Sequence, residues 1–245
     1  MNSNQTVEKL RQMRLSAMAE LHHQNVTNNR FADFTPDEYI ALLADHEWED
    51  RQGKKMDRLL KGAAFKQKGS IADIDYIHNR NLDRNMFGRL AALTFIKKKE
   101  NIILTGPSGV GKSYLAQAIG NQACLMGFKT LYSSTSRLLS KLKLSKLDGT
   151  YLKELKKLQN THLLILDDFG LQAFDATARE MMMDIIDDRF NETSTIVSSQ
   201  IPVSAWYEII GEGTIADAIL DRLVNSSHRL DLKGESLRKG VLKNE

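Results

Sequence analysis

The sequence predicts an α/β fold in which a parallel five-stranded sheet is covered by helices on both faces and preceded by a small all-helical domain. From about residue 70, short apolar runs alternate with stretches of helical periodicity, which is the pattern of βαβ units. The residues before that point show helical patterns and no strand pattern. We therefore predict a helical domain at residues 1–68 and an α/β domain at residues 69–245.

The first domain is predicted to contain two main helices. One has a single apolar stripe across residues 6–21, formed by Leu10, Met13, Ala17 and Leu21. The next begins at Thr35-Pro36-Asp37-Glu38, where the threonine can cap the helix and proline suits the first turn. Glu38 completes a capping box with Thr35, which makes this start well defined.

In the second domain the predicted strands are the apolar runs 101–104, 130–132, 163–166, 195–197 and 229–232. The run at 163–166 is apolar at every position, as expected of a strand that is buried on both faces.

The strongest functional signal follows the first of these strands and matches the phosphate-binding pattern G-x-x-x-x-G-K-[ST]. The segment, here called the P-loop, consists of Gly106, Pro107, Ser108, Gly109, Val110, Gly111, Lys112 and Ser113. Its glycines let the backbone wrap around phosphate, and the helix that follows presents unpaired N–H groups to an anion. We expect ATP as the ligand, with Lys112 at the β- and γ-phosphates and the Ser113 hydroxyl on Mg²⁺. The alternative is a glycine turn without a ligand.

The apolar run 163–166 ends in Asp167 and Asp168. Two carboxylates at the end of a buried strand are costly unless a cation or hydrogen bonds meet them. We expect Asp167 to hold Mg²⁺, through water, and Asp168 to orient or deprotonate the attacking water. The alternative is a turn that carries two solvated carboxylates.

A polar strand end is a further candidate. The strand at 195–199 ends at Gln200, which is expected to hydrogen-bond the γ-phosphate or the attacking water. Ser199 is the weaker candidate for this role. The alternative is a loop glutamine whose hydrogen bonds are satisfied locally.

Arg222 lies at the end of the apolar face of a predicted helix at 214–223. An arginine supplied by a neighbouring copy can complete an ATPase site, so Arg222 is a candidate arginine finger. A small-molecule kinase would share the P-loop and the carboxylates but would not need this arginine. The alternative for Arg222 is an ordinary salt bridge with Asp217 or Asp221.

Positive charge is concentrated in two stretches although the net charge is only +3. Residues 51–68 contain seven basic residues and one acidic residue, and residues 137–157 contain seven and two. Because basic helical faces bind phosphate backbones by counterion release, these stretches predict sequence-independent binding to double-stranded DNA. A solvated helical face is the alternative. The candidate DNA-binding residues are Arg51, Lys54, Lys55, Arg58, Lys61, Lys141, Lys143 and Lys146.

The composition favours a cytoplasmic protein without a membrane partner. Cys124 is the single cysteine, so no disulfide can form within the chain, as is usual in a reducing compartment. No segment approaches the ~18 consecutive apolar residues of a membrane span. The polar N-terminus lacks the apolar segment of a signal peptide.

Taken together, these residues resemble the IstB family, the ATP-binding helper proteins of bacterial insertion sequences, which are AAA+ ATPases close to the DnaC-type helicase loaders. The resemblance covers nearly the whole chain. Besides the P-loop and Trp206, it rests on residues 10–15, 18–19, 44–48, 71–75, 163–171, 198–202, 221–223 and 234–239.

The resemblance implies an AAA+ fold that forms ATP-dependent homo-oligomers around duplex DNA, distorts it and delivers it to the transposase of the same element, with hydrolysis resetting the complex. It assigns the P-loop role to Lys112 and Ser113, the acidic pair to Asp167 and Asp168, the sensor strand to Gln200 and the finger to Arg222. Many AAA+ relatives have glutamate at the position of Asp168.

Only 13 residues follow Leu232, too few for a full helical lid, so a second sensor would come from Arg238 in the tail. The alternative functions are a replicative helicase loader and, more remotely, a small-molecule P-loop kinase.

Overall fold

The computed structural model describes residues 3–76, 80–211 and 213–237. It divides into two compact units, Met1–Arg58 and Leu59–Glu245, whereas the sequence placed the boundary after residue 68. The residues just after the division belong to the second unit because they contact its core. Ala63 is fully buried and its carbonyl accepts a hydrogen bond from Tyr132 N, while Lys66 N donates to the side chain of Gln117.

The first unit consists of helices throughout its described part. They are α1 (Ser3–Gln12), α2 (Ser16–Thr27), a 3₁₀ turn (Arg30–Asp33) and α3 (Pro36–Gly62), whose last residues continue into the second unit. The predicted capping box at the start of α3 is confirmed, since Thr35 N donates to Glu38 Oε2 at 2.8 Å and Glu38 N donates to Thr35 Oγ1 at 3.4 Å.

The single helix predicted across residues 6–21 is wrong, because the chain turns between α1 and α2. Arg14 adopts a left-handed φ of 61° there, and Met13, assigned to the apolar stripe, is 66% exposed. Glu47 of α3 fixes the turn by accepting hydrogen bonds from Ala17 N at 2.9 Å and Met18 N at 3.0 Å, as a capping side chain does. Arg51 links Glu47 to the carbonyl of Arg14.

The second unit is an α/β sandwich around one parallel sheet. Its helices are α4 (Arg84–Ala91), α5 (Thr94–Lys98), α6 (Lys112–Leu125), α7 (Thr135–Leu147), α8 (Tyr151–Gln159), α9 (Ala176–Arg189), α10 (Trp206–Ile210) and α11 (Gly213–Val224), with a 3₁₀ turn at Val203–Ala205. Its strands are β1 (Asn101–Thr105), β2 (Thr130–Ser134), β3 (Leu163–Asp167), β4 (Ser194–Ser199) and β5 (Ser227–Asp231). All five predicted strands are confirmed, and they lie in the order β2-β3-β4-β1-β5 with parallel neighbours.

Both faces of this sheet are covered, which explains the uninterrupted apolar runs. Neighbouring residues of β1 point to opposite faces, so Ile102 and Leu104 join one core cluster while Ile103 joins the other. The first cluster contains α4–α6, and the second contains α7–α11 with Trp206 fully buried. Polar chemistry is therefore confined to the two edges where the strands begin and end.

Arg189, at the end of α9, is a buried charge that fixes the edge where the strands begin. Its guanidinium donates to the carbonyls of Leu158 at 2.6 Å, Thr161 at 2.9 Å and Ser194 at 2.5 Å. These carbonyls replace the water that the buried group has lost. No described helix is both long and apolar enough to cross a membrane.

We predict that Glu47→Ala lowers the free energy of unfolding of the first unit by about 1–2 kcal/mol, the usual cost of losing a helix cap. Burial favours the protonated form of Glu47, but hydrogen bonds from Met18 N and Arg51 outweigh it and lower the pKa of the carboxyl group. The stabilisation is therefore present at neutral pH and disappears as the pH falls through that lowered pKa.

Denaturant unfolding at pH 7 and in acid measures this effect, with the fluorescence of Trp48 as the probe. The chain has two tryptophans, so Trp206 is replaced by Phe in every variant to leave Trp48 as the single source of the signal. Glu49→Ala, at an exposed position of the same helix, is the control. Equal losses for both variants at pH 7 would contradict the capping role.

Candidate active site

Five of the six predicted catalytic and metal-binding residues lie at one edge of the sheet. The P-loop follows β1, Asp167 ends β3, and Gln200 follows β4, which lies between those two strands. Because parallel strands end at the same edge, the structure brings together Lys112, Ser113, Asp167, Asp168 and Gln200. Arg222 lies elsewhere.

The P-loop takes the left-handed backbone conformations that its glycines permit. Gly106, Gly109 and Gly111 have φ values of 139°, 83° and 96°. Lys112 is the first residue of α6 and is only 6% exposed. Its ammonium donates hydrogen bonds to the carbonyls of Gly106 and Pro107, both at 2.8 Å, so the positive charge is held against the loop.

The two predicted magnesium ligands are in direct contact. Ser113 Oγ donates to Asp167 Oδ1 at 2.9 Å, and Asp167 is 3% exposed. Among the described residues, no three His, Cys, Asp or Glu side chains cluster as a metal site. The pair therefore fits a Mg²⁺ ion that takes its remaining ligands from phosphate and water, as this ion commonly does.

Tyr132 of β2 is a site residue that the sequence analysis missed. Its hydroxyl donates to Asp167 Oδ2 at 2.6 Å, so both carboxylate oxygens are held. Burial, the hydrogen bond to Asp167 and the nearby charge of Asp168 raise the pKa of Tyr132, which keeps the hydroxyl protonated as a donor. Its position directly across from β3 depends on strand pairing, which the sequence pattern does not show.

Asp168 follows β3 with a left-handed φ of 55°. This conformation is uncommon for a residue other than glycine and is often found at functional sites. Asp168 is half-buried and lines a cavity of about 320 Å³ whose other walls include Thr135, Lys143 and Phe174.

The contacts at the end of β4 distinguish the two candidate residues there, Ser199 and Gln200. Ser199 Oγ donates to the carbonyl of Phe169 at 2.7 Å and accepts from Ile201 N at 3.1 Å, so this hydroxyl holds the backbone of two loops. The half-buried Gln200 side chain forms no hydrogen bond with another described residue, which leaves its amide open to a ligand.

Arg222 lies near the opposite edge of the sheet, beside the start of β1. The Asn101 side chain, in the first residue of β1, donates to the carbonyl of Arg222 at 3.3 Å. Since a strand rises by about 3.3 Å per residue, the five residues of β1 put roughly 16 Å between Arg222 and the P-loop of its own chain.

The guanidinium of Arg222 pairs with a carboxylate that the sequence did not indicate. Its Nε lies 3.0 Å from Asp187 Oδ1 of α9, and a second nitrogen donates to the carbonyl of Ala218. The guanidinium carbon also lies 5.7 Å from the centre of the Phe190 ring. The salt bridge is therefore made with Asp187 rather than with Asp217 or Asp221.

In the first basic stretch, some of the candidate DNA-binding charges already have acidic partners. Arg51 and Lys54 pair with Glu47 and Asp50, one turn earlier in α3, at 2.7 Å each. The exposed candidates that form no ion pair with a described residue are Lys55, Arg58 and Lys61.

The second basic stretch forms two helices, α7 and α8, rather than one continuous face. Lys141 pairs with Glu154 at 2.6 Å. Lys143 and Lys146 lie 3.7 Å from the carboxylates of Asp175 and Glu180. These partners reduce the positive potential that the sequence alone suggested.

Comparisons with known proteins agree with this geometry. The family model described as IstB-like ATP binding protein matches residues 8–244. An insertion sequence ATP-binding protein of Sinorhizobium fredii is 41% identical over 239 residues, which are 98% of each chain.

Two solved structures resemble this chain over about two thirds of its length. The crystal structure of DnaI matches with a TM-score of 0.59 and 26% identity over 67% of this chain and 91% of that one. The DnaC helicase loader matches with a TM-score of 0.53 and 25% identity over 65% of this chain and 95% of that one. The predicted AAA+ fold with its five-stranded parallel sheet is confirmed.

We predict that Tyr132→Phe lowers the free energy of unfolding by about 1–3 kcal/mol, because the buried Asp167 carboxylate loses one hydrogen-bond donor. Thermal denaturation without nucleotide measures this loss. Tyr151→Phe is the matched control, since the Tyr151 hydroxyl donates at the same 2.6 Å to Asp184 in a solvent-exposed pair. A smaller effect for Tyr132→Phe than for Tyr151→Phe would contradict the role of Tyr132.

Proposed function

The chain belongs to the family of IstB-like ATP-binding proteins and is an AAA+ ATPase, and on this basis we propose that it regulates DNA transposition in the cytoplasm. In this proposal it assembles with ATP on double-stranded DNA and delivers that DNA to the transposase of its own insertion sequence. Hydrolysis of ATP then resets the complex. The observation that carries the proposal is the placement of Arg222 at the edge opposite its own P-loop.

Nucleotide binding is assigned to the P-loop. The backbone N–H groups of residues 106–113 surround the triphosphate, and Lys112 neutralises the β- and γ-phosphates. Ser113 and Asp167, whose side chains are already 2.9 Å apart, would hold Mg²⁺, which neutralises charge that develops on the phosphates.

Hydrolysis is assigned to Asp168 and Gln200 at the neighbouring strand ends. Asp168 orients the attacking water and accepts its proton, and the Gln200 amide hydrogen-bonds the water or the γ-phosphate. The carboxylate of Asp168 is suited to this role because it is half-buried, whereas that of Asp167 is held by two hydroxyl groups. Arg238, the second-sensor candidate, lies outside the described residues.

Arg222 completes the site of a neighbouring copy. Such an arginine contributes roughly 10³–10⁵ in rate by neutralising charge in the transition state. In the single chain Asp187 holds the guanidinium in a half-exposed position, so assembly would exchange this carboxylate for the neighbour's γ-phosphate.

We predict that Arg222→Ala binds ATP normally but loses ATPase activity, and that Lys112→Ala loses both. When the two variants are mixed in equal amounts with DNA, about a quarter of the wild-type rate should return, because intact P-loops then meet intact arginines at random. Phosphate release measures the rate. Arg229→Ala, at an exposed position of β5, is the control. No recovery on mixing, from variants that still assemble, would refute action in trans.

Contact with duplex DNA is assigned to the two basic stretches. Lys55, Arg58 and Lys61 are exposed without an acidic partner among the described residues, so they are better placed than Arg51, which holds the turn at Arg14. The binding is expected to be independent of sequence, since it depends on phosphate contacts.

We predict that the chain forms oligomers on duplex DNA only when ATP is present, which sedimentation measures. We also predict that its affinity for duplex DNA falls steeply as the salt concentration rises. The double variant Lys55→Glu, Lys61→Glu should lower the slope of log affinity against log salt by about 0.9 for each phosphate that the protein no longer neutralises. The control is Lys9→Glu, Lys129→Glu, which changes the same charge at exposed positions outside the stretches. A monomer under all of these conditions would exclude the proposal.

The helicase-loader alternative is favoured by one observation, the match to the DnaC helicase loader. That match covers 65% of the chain, whereas the insertion-sequence relative covers 98% of it, including the first unit. Binding of the purified chain to the element's transposase or to a replicative helicase separates the two functions.

A further inference from the structure

The outer side of the P-loop is held by two segments that are remote in sequence. One is Arg80, which precedes α4, and the other is the segment 232–237, which follows β5. Both donate hydrogen bonds to carbonyl groups at the tip of the loop, Val110 and Gly109. None of the nucleotide roles assigned to the site uses them.

Arg80 connects three parts of the second unit. It is 4% exposed, and its two terminal nitrogens donate to the carbonyls of Val110 at 3.2 Å and Asp75 at 2.6 Å. Its own carbonyl accepts a hydrogen bond from Lys233 N at 3.0 Å. A planar guanidinium can hold two carbonyls at once, which a lysine ammonium on a flexible stem does less well.

The segment 232–237 supplies the second contact. The backbone N–H of Leu237 donates to the carbonyl of Gly109 at 3.0 Å. The atoms of this segment also leave no room for a side chain at two P-loop glycines. A Cβ atom on Gly109 would collide with Ser236 Oγ, and one on Gly106 would collide with the carbonyl oxygen of Leu232. A Cβ on Gly111 would lie 2.6 Å from the Arg80 guanidinium.

These contacts determine where the phosphate-binding N–H groups point. In a planar trans peptide the carbonyl of one residue and the N–H of the next point in opposite directions. When the carbonyls of Gly109 and Val110 are held on the outside, the N–H groups of Val110 and Gly111 are directed to the inside. Those are groups that a P-loop presents to phosphate.

We propose that Arg80 and the Leu237 N–H are positioning groups that hold the P-loop in its phosphate-binding conformation. This inference rests on the proposed nucleotide site and adds to it two residues, one that precedes the sheet in the sequence and one that follows it. Their effect is on the affinity for a nucleoside triphosphate, and neither takes part in the hydrolytic step.

The sharpest test is at Leu237, because only its backbone donor is at issue and the residue lies outside the core clusters. Leu237→Pro removes the N–H, whereas Leu237→Ala keeps it. With Mg²⁺ and a fluorescent ATP analogue, we expect Leu237→Pro to bind about tenfold more weakly, the equivalent of one good hydrogen bond, and Leu237→Ala to stay near wild type. KM for ATP should rise by the same factor while kcat, measured with DNA, is kept.

Arg80→Lys tests the other contact and should also weaken binding about tenfold, since one ammonium replaces a donor that spans two carbonyls. Arg189→Lys, at the opposite edge of the sheet, is the control, because it also replaces a buried arginine that donates to carbonyls. It should lower the melting temperature and leave nucleotide affinity unchanged.

Equal nucleotide affinities of wild type, Leu237→Pro and Arg80→Lys would overturn the inference. A loss of nucleotide affinity in Leu237→Ala as large as that in Leu237→Pro would also overturn it. Lys112→Ala, which is expected to lose ATP binding, is measured in the same assay as the reference for a chain without nucleotide affinity. A wild-type chain that binds no nucleotide would instead refute the proposed function, so the two failures can be told apart.

Discussion

Burial of the sheet on both faces is the constraint on which the rest of the structure depends. The side chains of β1 alternate between two apolar clusters, and a charge placed between them would have no water and no partner. Polar chemistry can therefore occur only where strands begin or end. One edge receives the P-loop, Asp167, Asp168 and Gln200, and the other receives Arg222. In the proposed function, these two edges meet in different copies of the chain.

At the first edge, a buried carboxylate is tolerated because hydrogen-bond donors meet both of its oxygens. Asp167 accepts hydrogen bonds from Ser113 and Tyr132, and Thr135 donates to its backbone carbonyl at 3.0 Å. Two elements, α6 and β2, thus fix the carboxylate of this residue, and a third, α7, holds its backbone. In the proposed site, such preorganisation would let a metal-bound phosphate be met by groups that need little rearrangement. The outer contacts of the P-loop act in the same way on backbone N–H groups.

The sequence predicted the features that depend on neighbours along the chain. The strands, the P-loop and the capping box at Thr35 each have a local pattern, and all appear in the structure. What it could not show are contacts between distant residues. The break at Arg14 depends on Glu47, and the contact of the Tyr132 hydroxyl with Asp167 depends on the pairing of β2 with β3. The partner of Arg222 is Asp187 from another helix, although nearer aspartates were the obvious candidates.

The strand β5 joins the two functional edges within one chain. Its first residue follows α11, which carries Arg222, and its last residue precedes the segment that holds the P-loop from outside. Arg222, which is proposed to complete a neighbour's site, and the groups proposed to shape the chain's own P-loop therefore lie at the two ends of one short strand. If Arg222 of one copy meets the P-loop of the next, as proposed, the two surfaces in contact differ and the contact is head-to-tail. Repeated contacts of that kind generate a ring or a helical filament rather than a twofold dimer, which agrees with the proposed assembly around duplex DNA.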